Sequence, residues 1–440
     1  MRFLKDWWWL LKRIFVYAPL GSLFFLTYTF IQKYLFILNF LFWFPLPTQI
    51  DAEIPKYEVV SFGAPIRAGF SKTDITPSRF SWVAGFMPPH PALSIKDRLW
   101  VKSLALEDQR GNKIVIVSVD IIGLLPDEID KIFSRVRGIS RERIFLSATH
   151  THSGPDTMGL WIWKNPRYMR RLRAQIAEAI NQSVSNMESA SLRSGQGEFP
   201  SRAHGRDENP ADPTVSVIQV LISRNDAPQL VTLVNYACHP DVVQGFQISA
   251  DFPYFLSERL RMRLGSETMF IPGAIGGVQP TGDRKELAHL VRVLGEDLAD
   301  KVVEIMRNPK LLSSAGIAVK KIKLSVPFEN ISDLKKAVDL GLVSNLRNKD
   351  GLVDAEVNRI DIGSLRIFTV PGELFPKIWW RVKKIQKDAM MFGLVNGEFG
   401  YILLAEDVKS EKHKYHVSVS VGPTFGEEVD KALQKLVSSD

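Results

Sequence analysis

The 440-residue chain has almost no thiol chemistry to offer. Its one cysteine, Cys238, excludes an internal disulfide framework and any cysteine-rich metal site. An excess of one charge is also lacking, with 56 Lys and Arg against 48 Asp and Glu, a net of +8. Residues 1–50 hold five bases (Arg2, Lys5, Lys12, Arg13, Lys33) and one acid, Asp6, so the remaining 390 residues carry only +4. A surface that balanced does not suit a polyanion, and no nucleic-acid partner is expected. No internal repeat, low-complexity segment or obvious interior linker occurs. At 45% hydrophobic and 24% charged, the composition is globular and excludes a disordered, collagen-like or fibrous chain.

Aromatic residues are present but unevenly placed: 16 of the 45 Phe, Trp and Tyr fall in residues 1–50. Ile14 to Ile31 is uncharged and, at ~1.5 Å per residue, long enough to cross a bilayer core. Trp7, Trp8 and Trp9 precede it, where an interfacial aromatic belt lies. The apolar part is too long for a signal peptide and no convincing small-residue cleavage site follows. Residues 1–49 are therefore read as an N-terminal membrane anchor, a transmembrane helix, and residues 50–440 as one functional domain. Four bases before the span against one after it favour a single pass with a cytoplasmic N-terminus and the domain on the non-cytoplasmic side. A second crossing by Tyr34–Pro47 would reverse that orientation.

Beyond residue 50, β-rich apolar runs alternate with helical ones, the mark of an α/β fold. Strands are expected at Lys113–Val119, Ile144–Ser147, Leu230–Tyr236, Met269–Ile271, Leu365–Val370 and Met391–Val395. Helices are expected at Arg167–Asn186, Lys285–Arg307 and Glu373–Ile385. In the second of these, Leu287, Leu290, Val291, Leu294 and Leu298 recur at helical spacing and read as a core face.

Potential ligands gather where apolar strands stop. Ile144–Ser147 runs into Thr149-His150-Thr151-His152-Ser153-Gly154-Pro155, and Leu230–Tyr236 into Cys238-His239-Pro240. Leu365–Val370 runs into Pro371-Gly372-Glu373, and Met391–Val395 into Asn396-Gly397-Glu398-Phe399-Gly400-Tyr401. Carboxyl ends of strands are where α/β sheets build ligand sites, and Gly and Pro there point to tight turns. Four such turns would present His150, His239, Glu373 and Tyr401 to one point. Two imidazoles, a carboxylate and a phenolate suit Zn²⁺, whereas Ca²⁺ and Mg²⁺ prefer all-oxygen sets. Other readings stay open: of His150 and His152, only one need bind metal, Glu373 could sit in a helix's first turn, and Tyr401 could be a core aromatic. Cys238 reads as a buried filler and not a nucleophile.

These motifs also resemble a known family. Ala68-Gly69-Phe70-Ser71-Lys72-Thr73-Asp74-Ile75-Thr76-Pro77, Ala84-Gly85-Phe86 and Val117-Ser118-Val119-Asp120 resemble the opening of the neutral/alkaline non-lysosomal ceramidases. The resemblance continues through the Thr-His-Thr-His-Ser-Gly-Pro turn, Asn235 to Pro240, Ile248-Ser249-Ala250-Asp251, Val370 to Glu373 and Asn396 to Tyr401, covering residues 66 to about 425. It implies a multilayer mixed sheet with helices, and a zinc amidohydrolase whose zinc-bound water attacks the N-acyl amide of a ceramide-like lipid. By motif, one Zn²⁺ per chain would be held by His150, His239, Glu373 and Tyr401. His152, Arg202 (with Arg206 as fallback) and Tyr415 would serve the water or the oxyanion.

The Gly-Asp-x-Ser-Pro-Asn turn of the family reads Gly276-Gly277-Val278-Gln279-Pro280-Thr281 here. Gln279 replaces the serine at the substrate headgroup, which excludes a serine nucleophile there and puts Gly276 and Gln279 forward as substrate-binding residues. The chain stops at Asp440, so the family's C-terminal β-sandwich and its second metal site are not expected. The expected substrate is a lipid or amphipathic amide. The alternatives are a hydrolase of a non-sphingolipid amide or ester, and an inactive anchored binding protein; oligomeric state is not legible.

Overall fold

Alternation of period two sends the side chains of the central strands into two different cores. In Lys113–Val119, Val115, Val117 and Val119 pack under helix Pro166–Ser185, while Ile114 and Ile116 enter a core on the opposite face. Phe145 likewise points away from Ile144, Leu146 and Ala148. The computed structural model describes residues 65–439, apart from 78–80, 206–210, 225–226, 283–285, 313–315, 330–332, 341–345, 347 and 349. The expected anchor and Arg206 lie outside the described residues. Among the described residues no helix is long and apolar enough to cross a membrane.

The principal sheet runs, in spatial order, Glu267–Pro272, Gln229–Tyr236, Thr214–Ile222, Glu188–Glu198, Pro65–Asp74, Trp100–Glu107, Lys113–Val119 and Ile144–Ala148, with Lys310–Leu311 added to Glu188–Glu198. Its two outermost pairs are parallel and the others antiparallel. A second sheet, Ile317–Pro327, Leu352–Ile362, Leu365–Thr369 and Met390–Phe392, packs on it through Phe70, Phe145, Met269, Ile367 and Phe392. Helices cover both outer faces. Phe252–Leu264 and Leu287–Ile305 lie on the first sheet, and Pro376–Lys383 and Pro423–Ser438 on the second. The expected α/β class and multilayer mixed sheet are thus found.

What matters for function is that the principal sheet curls until its ends meet. Ser118 Oγ donates to Phe270 O and Lys102 Nζ to Thr268 O, each across 2.6 Å. Residues 393–396 join the two ends. Gly393 N donates to Pro272 O at 2.9 Å, and its carbonyl accepts from Ser147 Oγ at 2.8 Å. A Cβ on Gly393 would sit 2.7 Å from Gly273 O, so only glycine permits this approach. Asn396, at φ 57°, accepts from Leu146 N and donates to Ile144 O. The loops after Ala148 and Tyr236, far apart along the sheet order, are thereby neighbours in space.

Two expected boundaries are wrong: the strand expected at Met391–Val395 spans Met390–Phe392, with Leu394 beyond it at φ 53°, and the start of one helix is displaced. The helix expected from Glu373 begins at Pro376, because the residue before a proline is pushed to extended backbone, and Phe375 has ψ 135°. Glu373–Leu374 is instead a short strand, paired in parallel with Tyr401–Ile402.

Candidate metal centre

His150 stands two residues beyond strand Ile144–Ala148 with φ 69°, a left-handed conformation that a non-glycine residue rarely adopts. Its backbone N–H donates to Ile121 O, and its Nδ1 lies 2.6 Å from Ile122 O. His239, at the end of the loop leaving Gln229–Tyr236, sets Nδ1 2.6 Å from Val278 O. His152 sets Nδ1 3.1 Å from Gly85 O. A carbonyl only accepts, so each Nδ1 carries a proton, and the neutral form of each ring has its lone pair on Nε2. Fixing the far nitrogen on a backbone carbonyl is how proteins aim imidazoles at a cation.

The three rings surround one point. One ring nitrogen from each lies within 4.8 Å of the others, and ring centroids are 5.0, 5.0 and 5.6 Å apart. Glu373 closes the cluster, with Oε1 3.5 Å from His150 Nε2 and Oε2 2.9 Å from His239 Nε2. The Nε2 atoms of His150 and His152 and Oε2 of Glu373 are buried without a hydrogen-bond partner. Lone pairs facing a carboxylate at this distance repel unless positive charge lies between them. Burial alone would raise the Glu373 carboxyl, but positive charge and donated hydrogen bonds from protonated His150 and His239 hold it well below the usual range, so this carboxylate calls for a cation or a proton beside it. Burial, then His150 and His239, keep the His152 imidazole well below its ordinary value, so it stays neutral at pH 7. This buried, acceptor-only nitrogen and oxygen set fits a divalent cation of the Zn²⁺ type.

Tyr401 is the register partner of Glu373, so the two residues lie side by side on adjacent short strands. Its ring stands edge-on to His416 at 4.7 Å and to Tyr415 at 6.0 Å. Tyr415 is exposed. Gly276 packs against the strand bearing Glu373: its N–H donates to Leu374 O, and a Cβ there would meet Glu373 O at 2.7 Å. Gln279 Nε2 donates to Asp241 Oδ2 at 3.1 Å, two residues beyond His239. Arg202 directs its guanidinium to Asp297 in an ion pair. Cys238 is buried.

Two neighbours had no assigned role in the sequence. Glu398 is buried, receives Gly400 N at 2.8 Å on Oε1, and has no hydrogen-bond partner on Oε2. Burial and then the charge of Glu373 push its carboxyl well above the ordinary value, favouring its protonated form. His416, in a stretch that reads as polar, is buried against Tyr401 and Phe375, and its Nε2 would lie 3.5 Å from a Cβ on Gly277. The only sequence signal for either is proximity to Tyr401.

No protein-family model and no curated protein sequence matches the chain. Solved structures do. Neutral ceramidase from Pseudomonas aeruginosa superposes with a TM-score of 0.69 at 16% identity, covering 85% of this chain and 74% of that one. The fold is that of neutral ceramidase. A ceramidase structure complexed with C2 gives 0.68 at 16% identity, covering 85% of this chain and 75% of the other. Within this ceramidase-like fold, the histidine cluster can bind a metal ion.

Buried carboxylates tie the histidine-bearing loops of the ceramidase-like body together. Thr151 Oγ1 donates to Ser249 O, and Ser249 N to Ser153 O. Asp97 accepts from Ser249 Oγ and Ala250 N, and Asp251 from Val243 N and Phe252 N. Burial pushes both carboxyls up to about 7. Both values exceed those of the unfolded chain, so the folded state binds more protons at mildly acid pH. This contribution is full below the unfolded value near 4 and is lost as pH rises through about 7. Melting temperature should therefore fall from pH 5 to 8, and in Asp97→Asn the fall should be visibly shallower. An unchanged slope in that variant would remove Asp97 from the account.

Proposed function

We propose that the chain is a zinc-dependent amidohydrolase acting on the N-acyl amide of a ceramide-like lipid. The observation that carries this reading is the buried cluster of His150, His152, His239 and Glu373, all acceptors, in a fold shared with neutral ceramidase. His150, His239, Glu373 and Tyr401 would hold the ion. Such an ion supplies a Lewis acid for the amide carbonyl and activates water at neutral pH.

The chain's own residues do the rest. His152, neutral, offers Nε2 to accept a proton beside the reacting carbonyl. Burial and the charge of Glu373 favour the protonated form of the neighbouring Glu398. Tyr415 lies beside Tyr401, where a phenol can donate to a developing oxyanion. Arg202 would have to leave Asp297 to do likewise. Gln279, held by Asp241, presents an amide where ceramidases carry the headgroup serine. That exchange favours a second reading, a different lipid amide or ester as substrate. Residues 1–49 would anchor the enzyme in the membrane, with the catalytic body on the non-cytoplasmic side.

Metal analysis of purified protein, with hydrolysis assays on ceramides, other N-acyl lipids and lipid esters, tests this proposal. The expected result is close to one zinc per chain and turnover lost on chelation and in His150→Ala. Protein free of zinc, or a His150→Ala variant as active as the parent, would overturn it. Cleavage of the esters alone would decide for the second reading.

A further inference from the structure

Three loops beside the centre expose apolar side chains that the chemistry above does not use. Met87 and Leu93 are 77% and 72% exposed, and Ile95, Ile162, Trp163 and Phe246 are exposed as well. These residues are structurally linked. Trp82 pairs with Pro91 and Val83 N donates to His90 O, making a hairpin that carries Met87. Leu93 N donates to Phe246 O at 2.7 Å, and Ser94–Ile95 pairs in parallel with Gln247–Ile248. Asp156 N donates to Trp82 O, and its carboxylate accepts the N–H groups of Met158, Gly159, Trp161 and Ile162, fixing the loop that presents Trp163. A line of ring contacts runs from His152 through Phe86 and His90 to Phe246. The apolar side chains thus begin at the wall of the centre.

Charge on these loops has one sign. Residues 81–96, 157–177 and 242–250 contain no Asp or Glu; Lys96 is half-buried and Lys164 is paired with Glu128, so the exposed bases there are Arg167 and Arg170. Both stand at the start of helix Pro166–Ser185. Exposed Trp, Phe, Leu, Ile and Met mixed with Arg, and without acids, are the side chains that settle at the headgroup boundary of an anionic membrane. The pairing of residues 94–95 with 247–248 and the carboxylate of Asp156 also occupy backbone N–H groups that a low-dielectric boundary would penalise.

We infer that these three loops form a docking face for an anionic bilayer surface, set around the approach to His152. The inference deepens the lipid-substrate reading, because an N-acyl lipid stays in the bilayer and a seated face shortens its path to the centre.

Site-directed spin labelling of the full chain tests it. Cys238 is the one cysteine and is buried, so a nitroxide can be placed selectively. Ile95→Cys carries the label, Met87→Cys is a second position, and Arg110→Cys is the control, exposed in the turn that enters strand Lys113–Val119 at the end away from the centre. The protein is studied in vesicles of phosphatidylcholine with and without phosphatidylglycerol. Labels at 95 and 87 should be several-fold more accessible to oxygen than to an aqueous nickel reagent, the label at 110 should show the reverse, and the contrast should shrink without the anionic lipid. Water-like accessibility at all three positions would overturn the inference. So would dipolar broadening at 95 in lipid-free detergent, which would assign the face to a second copy of the chain. Depth is read without turnover, so an inactive protein with lipid-immersed labels would reject the proposed activity and keep the docking face.

Discussion

A Glu373→Gln variant should lose its bound divalent metal and fall in amide turnover by about a thousandfold, some 4 kcal/mol of activation free energy. The substitution keeps the shape of the side chain and removes its charge. In the native residue two carboxylate oxygens face imidazole nitrogens that have already committed their protons to backbone carbonyls. A carboxamide turned towards His239 donates instead of repelling, and a hydrogen bond stands where a cation is needed. The decisive readout is zinc linkage: in Glu373→Gln the rise in melting temperature on adding zinc should disappear, whatever the melting temperature of the metal-free variant. A carboxylate that served the fold alone would behave differently, since its loss would lower the melting temperature and leave the zinc-induced rise intact. Differential scanning calorimetry with and without zinc, beside metal content and kcat, distinguishes the two.

The second large effect is expected at Gly85. A Cβ there would lie 2.5 to 2.6 Å from the ring and Cβ of His152, and φ is 92°, a region open mainly to glycine. Gly85→Ala should push the imidazole off the Gly85 carbonyl that orients it, lowering turnover by roughly ten- to a hundredfold, the range for losing a partner that orients such a ring. Backbone strain adds a stability cost of about 1–3 kcal/mol. Gly111→Ala separates the two contributions. It has a comparable φ of 80° but nothing within 4 Å of the added carbon, so it should cost stability and leave turnover unchanged. Equal activity losses in both variants would show that strain, and not displacement of His152, is responsible.

The parts of the centre that could be read along the chain are those whose geometry is local. Ile144–Ala148 and Gln229–Tyr236 announce themselves as β-branched and apolar runs that stop at Gly- or Pro-bounded turns, and His150 and His239 follow directly. The start of the helix after Glu373 was obscured because apolar residues on both sides of Pro376 suit a strand or a helix equally. Glu398 gave no sign beyond its place near Tyr401, because nothing local buries it. Its side chain lies against Gly123, where any Cβ would approach Glu398 Cγ to 2.7 Å, a contact between residues hundreds of positions apart. The curl of the principal sheet is nonlocal in the same way: hydrogen bonds such as Ser118 Oγ to Phe270 O join segments that no periodicity connects.

That curl has a bearing on the order of events during synthesis. Residues 393–396 join the two ends of the sheet, and the proposed donors come from both sides of that joint, two imidazoles emerging early and the carboxylate and phenol late. A nascent polypeptide halted before Asn396 already has its histidine-bearing loops tied through Thr151, Ser249 and Asp97, but it lacks Tyr401 and the joint between the two ends of the sheet. Completion of the proposed ligand set would then be a late event, and a chain loaded with metal would be one whose folding has already finished.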